Sequence, residues 1–594
     1  MVGVELHSIT FRRGRGPGYV PSRNTNGGNI PEVIARASPT PALICILLCL
    51  APAAAVAATP AADSSSRIIV QWRAGSAPAQ AAAQAATPQR LESLRMRSGQ
   101  GRARGWNIGG PLSVLQLDEA QSGTQLAATL AALRADPDVE FAEPDQRVRA
   151  HAYVPDDPLY SGQWYLRTTQ PSAIRAHEAW DVTRGAPDMV VAVVDSGVRF
   201  DHPDLAGRLL PGWDFISTGF VGNDGDGWDA DASDAGDFIT AAELGTPEFP
   251  SGKCGGGPDL DQPMESSWHG TRVAGIIAAV GDNATGIAGT AFNVQILPVR
   301  VLGKCGGYVS DVIAGMYWAA GMAPPPPYLS PPLPPVNSTP ARVINVSLGS
   351  EQSCDVSAAY RTAVQQITAH GALIVASAGN AGGAVGSPAG CPGTLAVAGL
   401  RHAGTKVGYS NLGPQVSIAA PAGNCINIEP GAPCLFALNT TTNLGLQGPE
   451  ANGYSSTTVQ PTVGTSFSAP LVAGTAALML STNPGLTPAQ VISLIRSTAR
   501  PFPTTSDTTP LPQACVSPAV KPLQDAECIC TTAVCGAGML DAQAAVQAAL
   551  TATPEPPASD TGGGGGRGDT LLLLTLLLWL ARRRTPLIPA PAVQ

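Results

Sequence analysis

The sequence predicts an α/β fold: a mostly parallel central sheet covered by helices on both faces, preceded by a small α+β domain. Short, continuously apolar runs recur between about residues 155 and 550, at 189–194, 294–301, 343–347, 372–377 and 394–399, each bounded by Gly, Asn, Asp or Pro. Helical segments separate them. Uninterrupted apolar strands alternating with helices mark a sheet buried on both faces. Upstream, residues 58–150 carry their own strand and helix pattern.

In that upstream unit, residues 67–72 (RIIVQW) alternate as a strand does, and residues 112–117 (LSVLQL) form a second strand. Residues 123–135 have helical spacing and strong helix formers; Pro137-Asp138 ends the helix, and residues 139–142 resume strand character. In the larger unit, residues 323–341 are Pro-rich and form an extended surface loop.

Composition narrows the function classes. Of the 594 residues only 13% are charged, while Gly (66) and Pro (55) are frequent, which suits a loop-rich globular enzyme. The formal net charge of −9 supplies no overall basic field for nucleic acid, which is not expected as a partner. Of the 12 cysteines, Cys45 and Cys49 lie in an N-terminal apolar run. The other ten are scattered and favour disulfides over a metal site. Their order suggests Cys254–Cys305, Cys354–Cys391 and Cys425–Cys434, although order alone does not fix connectivity. Cys528, Cys530 and Cys535 are spaced closely enough for metal to be the alternative to disulfides.

Residues 43–57 (LICILLCLAPAAAVA) follow Arg36 and end in the small-x-small sequence Ala55-Val56-Ala57. This is the layout of a secretory signal, so residues 1–57 are assigned to a signal region. After a Pro/Gly-rich linker at 551–569 comes the apolar run TLLLLTLLLWLA (570–581) and then Arg582-Arg583-Arg584. That run is shorter than the ~20 residues a full span needs. Residues 570–594 resemble a C-terminal sorting or anchor segment of bacterial surface proteins, with transient membrane contact as the implied role. Together these features point to a secreted protein, extracellular or held at the bacterial cell surface.

Three motifs carry chemistry. Residues 191–197 (VAVVDSG) put Asp195 at the C-terminal end of a buried strand, where open α/β sheets present functional groups. Residues 269–275 (HGTRVAG) open a helix with His269, and residues 464–470 (GTSFSAP) place Ser466 at the start of another, with Pro470 expected in its first turn. A serine nucleophile needs a base, and the base needs a third group to hold its tautomer. The chain order Asp, His, Ser is that of subtilisin. On these residues the chain resembles the subtilisin-like serine proteases over roughly residues 155–550.

The resemblance implies a subtilisin-like fold, with residues 151–550 as the peptidase domain and residues 58–150 as an inhibitory pro-region. It implies protein or peptide substrates of broad specificity, with the chain's own pro-region as intramolecular inhibitor. Ser466 is then the nucleophile, His269 the base and Asp195 its orienter. Asn380, in ASAGNAG (376–382), matches the oxyanion donor. The substrate-binding residues are Ser347, Leu348 and Gly349, with Ala378 and Gly379, and the edge segment at Gly307 and Tyr308. Arg272 departs from the family's more common second histidine in this motif.

Structural Ca²⁺ is the implied cofactor. The loop at 280–287 (VGDNATGI) resembles the family's calcium loop, with Val280, Asn283, Thr285 and Ile287 as ligands and Asp157 and Asp204 as carboxylate partners. A second candidate is the acidic stretch 223–229, with Asp224, Asp226 and Asp229. Two other classes compete. A surface-displayed binding protein with a protease-like domain explains the C-terminal segment but not the complete set of Asp195, His269, Ser466 and Asn380. An esterase of the α/β-hydrolase type would carry Ser in GxSxG, whereas Ser466 lies in GTSFS.

Overall fold

The computed structural model describes residues 65–76, 94, 96, 104–145, 153–244, 246, 263–322, 334–425 and 434–555. The signal region, the segment 570–594 and Cys254 lie outside the described residues. The chain divides into two compact units, Met1–Arg149 and Ala150–Gln594.

The first unit contains β1 (Ser65–Trp72), β2 (Arg104–Gly109), β3 (Leu112–Gln121), α1 (Gly123–Arg134) and β4 (Val139–Pro144). The sheet order is β2-β3-β1-β4. Strands β3 and β4 both run antiparallel to β1. They are therefore parallel to each other, and α1 crosses between them over β1. Ile68, Val70 and Trp72 alternate inward and meet Leu126, Leu130 and Leu133 from α1. Strand β2 was not expected. Its residues are mostly exposed, so they have no buried face to impose a period of two.

The second unit is built on seven strands: β5 (Val190–Asp195), β6 (Trp213–Asp214), β7 (Gln295–Arg300), β8 (Val343–Val346), β9 (Leu373–Ser377), β10 (Thr394–Leu400) and β11 (Ile418–Pro421). Their order is β11-β10-β9-β8-β5-β7-β6, and every pairing is parallel. Alternate residues of β5 enter different cores: Val191 and Val193 join one, Ala192 and Val194 the other. Both faces are thus covered, and this is why these strands lack alternation in sequence.

Among the described residues, the helices of ten or more residues in this unit are α2 (His269–Ala278), α3 (Val309–Ala319), α4 (Ala358–Ala369), α5 (Thr465–Thr482), α6 (Pro488–Ser497) and α7 (Ala542–Thr551), and all bury residues in the two cores. Helix α5 is apolar and small on all sides and is buried from Phe467 to Leu480, so it runs through the core instead of lying on it. Two short strands, β12 (Thr441–Asn443) and β13 (Asn452–Tyr454), pair antiparallel beside α2.

The expected disulfides Cys354–Cys391 and Cys425–Cys434 are present. Cys305 is also disulfide-bonded. The closely spaced cysteines form Cys515–Cys528 and Cys530–Cys535, so disulfides and not metal account for them. The Cys354–Cys391 bridge closes 37 residues between the loop after β8 and the turn before β10. Closing a loop of that size restricts the unfolded chain by about 3–4 kcal/mol. The paired Cys354→Ser/Cys391→Ser variant is expected to lose about 2–4 kcal/mol of stability. Denaturant melts against the parent under non-reducing conditions measure it; equal midpoints would contradict the expectation.

Candidate active site

Asp195 ends β5, and its carboxylate is fully buried. His269 opens α2 immediately after Trp268, whose backbone is left-handed (φ 51°) and whose indole Nε1 donates to Gly445 O at 2.8 Å. That buried tryptophan anchors the entry to the helix. Gly270 then lets the helix approach the strand end: a Cβ there would stand 2.1 Å from Gly197 O and 3.2 Å from the Asp195 Cβ. The approach brings His269 Nδ1 to 2.7 Å from Asp195 Oδ1, which also accepts from Ser196 N at 2.8 Å.

A further layer holds this pair. Ser196 Oγ accepts from Gly270 N (3.0 Å) and donates to the buried Asp234 Oδ2 (2.7 Å). Asp237 accepts from Ser267 N (2.6 Å) and Ser267 Oγ (2.7 Å). His269 is therefore fixed on both sides along the chain. Asp234 and Asp237 were missed in the sequence because neither stands in a motif; they lie 35 and 32 residues before His269.

Several effects act on the imidazole. Burial works to lower its pKa, but the charge and hydrogen bond of Asp195, helped by Asp237, outweigh burial and raise it; Arg272 opposes them. Arg272 lies one turn along α2. Its Nη2 donates to Gln460 Oε1 (2.7 Å) and its Nε to Thr442 Oγ1 (3.1 Å), and burial lowers its own pKa to about 10.

Ser466 lies in the first turn of α5, half-exposed, and the ring of the next residue, Phe467, lies 5.2 Å from that of His269. Pro470 falls in the second turn of α5, not the first as expected. A proline there has no N–H for the carbonyl four residues back, which is that of Ser466. Ser347 Oγ takes that place and donates to Ser466 O at 2.6 Å, itself oriented by Asn345 Nδ2 at 2.9 Å.

Asn380 follows β9 and is exposed. Its Oδ1 accepts from Thr465 N and Thr465 Oγ1, both at 2.9 Å, which leaves the amide nitrogen as the donor. The Thr465 hydroxyl also accepts from Gly379 N at 3.2 Å. Thr465, which ties the amide to the helix of Ser466, is a third residue whose role sequence reasoning missed.

Ser466 and Asn380 line one cavity of about 340 Å³ together with Ser347, Leu348, Gly349, Ala378 and Gly379. Five of the seven expected substrate residues thus converge. Gly307 and Tyr308 are not among its lining residues. They precede α3, with Tyr308 56% exposed as its N-cap. Glu351 lines the cavity and was not anticipated.

The first calcium candidate assembles in part. Asp157 Oδ2 accepts from Asp282 N at 3.0 Å, and Asp204 Oδ2 from Ile287 N at 2.9 Å. Val280 meets Asp204 through its N–H as well, at the backbone carbonyl (2.8 Å). Asn283 presents its amide nitrogen to Asp204 Oδ1 at 2.9 Å, so its amide would have to turn to offer oxygen; Thr285 N caps the Asn283 oxygen at 2.8 Å.

Burial raises the pKa of both carboxyls, that of Asp204 to about 6, and each is pushed further by a like charge, Asp156 beside Asp157 and Asp157 beside Asp204. Asp156, Asp157 and Asp282 also bring carboxylate oxygens within 4.8 Å of one another. Buried carboxylates of like charge are hard oxygen ligands of the kind a divalent cation takes, although the groups that meet them here are N–H donors.

The second candidate is arranged differently. Asp224 turns to the buried Arg300, which also pairs with Asp214 and donates to Gly222 O. Desolvation and then the neighbouring charge of Asp229 raise the pKa of Asp226. A protein guanidinium thus pairs with Asp224. Arg300 sits at the end of an apolar strand, where nothing local reveals its partners.

With this geometry in view, the relatives are informative. The Subtilase family model matches residues 186–526, more than half of the chain. An extracellular protease of Xanthomonas campestris pv. campestris is 35% identical over 496 residues, 82% of this chain and 74% of that protein. An extracellular basic protease of Dichelobacter nodosus is 35% identical over 395 residues, 65% of this chain and 59% of that protein. Among solved structures, a protease from Pseudoalteromonas arctica matches with a TM-score of 0.54 and 36% identity, over 67% of this chain and 100% of that one. Family match, parallel sheet and site geometry agree: the chain belongs to the subtilase family and is a subtilisin-like serine peptidase.

Proposed function

We propose that the chain is an exported endopeptidase that cleaves peptide bonds through Ser466, His269 and Asp195 by an acyl-enzyme route. The observation that carries this reading is the 2.7 Å contact between His269 Nδ1 and the buried Asp195, beside a cavity that holds both Ser466 and Asn380. His269 removes the Ser466 hydroxyl proton as Oγ bonds to the substrate carbonyl carbon. The carbonyl oxygen takes up the electron pair and is met by the Asn380 amide and the Ser466 N–H. His269 then gives the proton to the leaving nitrogen as the C–N bond breaks. Water releases the acyl group by the same steps. Asp195 holds the imidazole tautomer and stabilises its cation.

The small residues of the cavity suit a broad range of side chains. Residues 58–150 act as the intramolecular inhibitor, and cleavage near residues 148–153 releases the mature enzyme. Export rests on the leader at 1–57, on the disulfides, and on relatives named extracellular proteases. Among the described residues no helix is long and apolar enough to cross a membrane.

Ca²⁺ is the cation that suits Asp157 and Asp204, with Asn283, Thr285 and the Val280 and Ile287 backbone near them. Asp156 and Asp282 add carboxylates to the same place. Its role would be structural, fastening residues 156–157 to the loop that follows the His269 helix.

Ser466→Ala is expected to lower peptide hydrolysis by on the order of 10⁵-fold or more, and Asn380→Ala by about 10²–10³-fold. Ser466→Ala should also abolish the cut near 148–153. A peptide assay and N-terminal sequencing of the secreted product read both, and retained hydrolysis in Ser466→Ala sinks the assignment.

The acid limb of kcat/KM should lie above the ordinary imidazole value of 6.5, because the folded site favours the protonated ring and the reaction needs the neutral one. Arg272→Gln removes an opposing positive charge and should move that limb to higher pH. A limb below 6.5, or a downward move, would contradict the electrostatic account.

A calcium chelator should lower the melting midpoint, since a cation held at 100 times its Kd adds about 2.7 kcal/mol. Asp204→Asn should remove most of the difference between calcium and chelator. An unchanged midpoint on chelation rules the site out.

A further inference from the structure

Lys406 lies outside the site described above and is one of the largest fully buried side chains among the described residues, 1% exposed. A buried ammonium is costly unless its hydrogens are taken up. Here they point at four backbone carbonyl oxygens: Gly408 O and Gln524 O at 2.6 Å, Val407 O at 3.1 Å and Ala526 O at 3.4 Å. Three N–H donors are shared among four acceptors, a cage of the kind that holds a cation. Burial lowers the Lys406 pKa to about 8, the charge of Asp525 opposing the fall and that of Lys521 adding to it, so the side chain is charged at neutral pH.

The four carbonyls come from two segments far apart in sequence. Val407 and Gly408 belong to the stretch that carries Tyr409 and Asn411. Gln524 and Ala526 belong to the loop closed by Cys515–Cys528, whose last residue accepts from Lys406 N at 3.0 Å. Both segments grip the turn that carries Asn380. Tyr409 O accepts from Gly382 N and Gly382 O accepts from Gln524 N, each at 2.7 Å. Asn411 Oδ1 accepts from Ala381 N (2.9 Å) and Gly383 N (3.0 Å). Gly382 has a left-handed backbone (φ 64°), and a Cβ on it would stand 3.1 Å from Gln524 O, so the turn and the disulfide loop are in direct contact. The Gln524 side chain braces the loop from within, donating to Val516 O at 2.8 Å and accepting from Val516 N at 3.0 Å.

We propose that Lys406 is a positioning residue for peptide hydrolysis: its ammonium acts as a tethered cation that clamps the Cys515–Cys528 loop onto the 380–383 turn and so holds the Asn380 amide at the oxyanion position. This rests on Asn380 being the oxyanion donor. Lys406 touches no substrate atom. Its loss loosens a donor whose value lies in being fixed before charge develops. The effect therefore falls on kcat and not on substrate binding.

The test compares Lys406→Ala, Asn380→Ala and the paired Cys515→Ser/Cys528→Ser variant in the secreted full-length enzyme. Kinetics are normalised to active sites counted with a serine-directed phosphonate, so that a smaller folded fraction does not count as slower chemistry. Lys406→Ala is expected to lower kcat about tenfold or more, a part of the ~10²–10³-fold due to the donor itself, with KM within about twofold. n-Propylammonium carries the atoms this variant lacks and should restore kcat, whereas 1-propanol, which fills the space without charge, should not.

The paired cysteine variant should lower kcat in the same way. If Lys406→Ala does not accumulate as a folded protein, the cysteine variant decides alone by the same kcat criterion. Unchanged kcat in the variant that decides, or rescue by 1-propanol as effective as by n-propylammonium, overturns the proposal while Asn380→Ala remains slow. Unchanged kcat in Asn380→Ala overturns instead the oxyanion assignment, and the proposal with it.

Discussion

The close approach of the His269 helix to the end of the Asp195 strand is the contact on which the site depends. It is possible because Gly270 has no side chain: any Cβ would collide with the carbonyl of Gly197. Only at that separation can His269 Nδ1 reach a fully buried carboxylate. The imidazole and the Ser196 N–H offset the burial of this carboxylate at Oδ1, while Oδ2 has no partner. Geometry and electrostatics are thus one constraint. The packing that lets the helix approach also keeps water from the Asp195 carboxylate and strengthens the field it exerts on the partly exposed imidazole.

Buried charge is balanced in three different ways in the peptidase unit. At Arg300 a guanidinium is paired with Asp214 and Asp224 and donates to a carbonyl, all within the protein. At Lys406 an ammonium is satisfied by backbone carbonyls. At Asp157 and Asp204 two carboxylates lie together with N–H donors around them but with like charge beside each. The first two meet their cation with groups of the protein itself, although Arg300 Nε has no partner. The third is the one whose chemistry asks for a cation, and it fastens the loop after the His269 helix.

The serine end of the site is set by substitutions of one hydrogen bond for another. Pro470 deprives the Ser466 carbonyl of its helical partner, and Ser347 replaces it. Thr465 spends its N–H and its hydroxyl hydrogen on Asn380 Oδ1, so the amide nitrogen is presented to the cavity. These bonds link β8, β9 and α5. The donors are therefore held by the central sheet and its long core helix, not by a free loop. Such preorganisation is what an oxyanion donor, the role proposed for Asn380, would need.

The sequence by itself determined the parallel α/β fold and the family, and it brought forward Asp195, His269, Ser466 and Asn380 as the candidate site. Each of these stands in a short motif whose meaning is local: a strand end, a helix start, a glycine-bracketed turn. The pairing of Cys354 with Cys391 and of Cys425 with Cys434 was legible for a related reason, being between neighbours in order. Tertiary structure alone decided the rest. Asp234, Asp237, Arg300 and Lys406 are single polar residues with no periodic or motif signal, Thr465 stands in the serine motif without any local sign that it binds Asn380, and the partners of these residues lie up to 120 residues away in the chain. The acidic run at 223–229 shows the limit most clearly. Its composition invites a cation, but the charge that meets Asp224 belongs to Arg300, 76 residues on, brought there by the pairing of β7 in the sheet. Composition records which charges must be balanced, and only packing chooses the group that balances them.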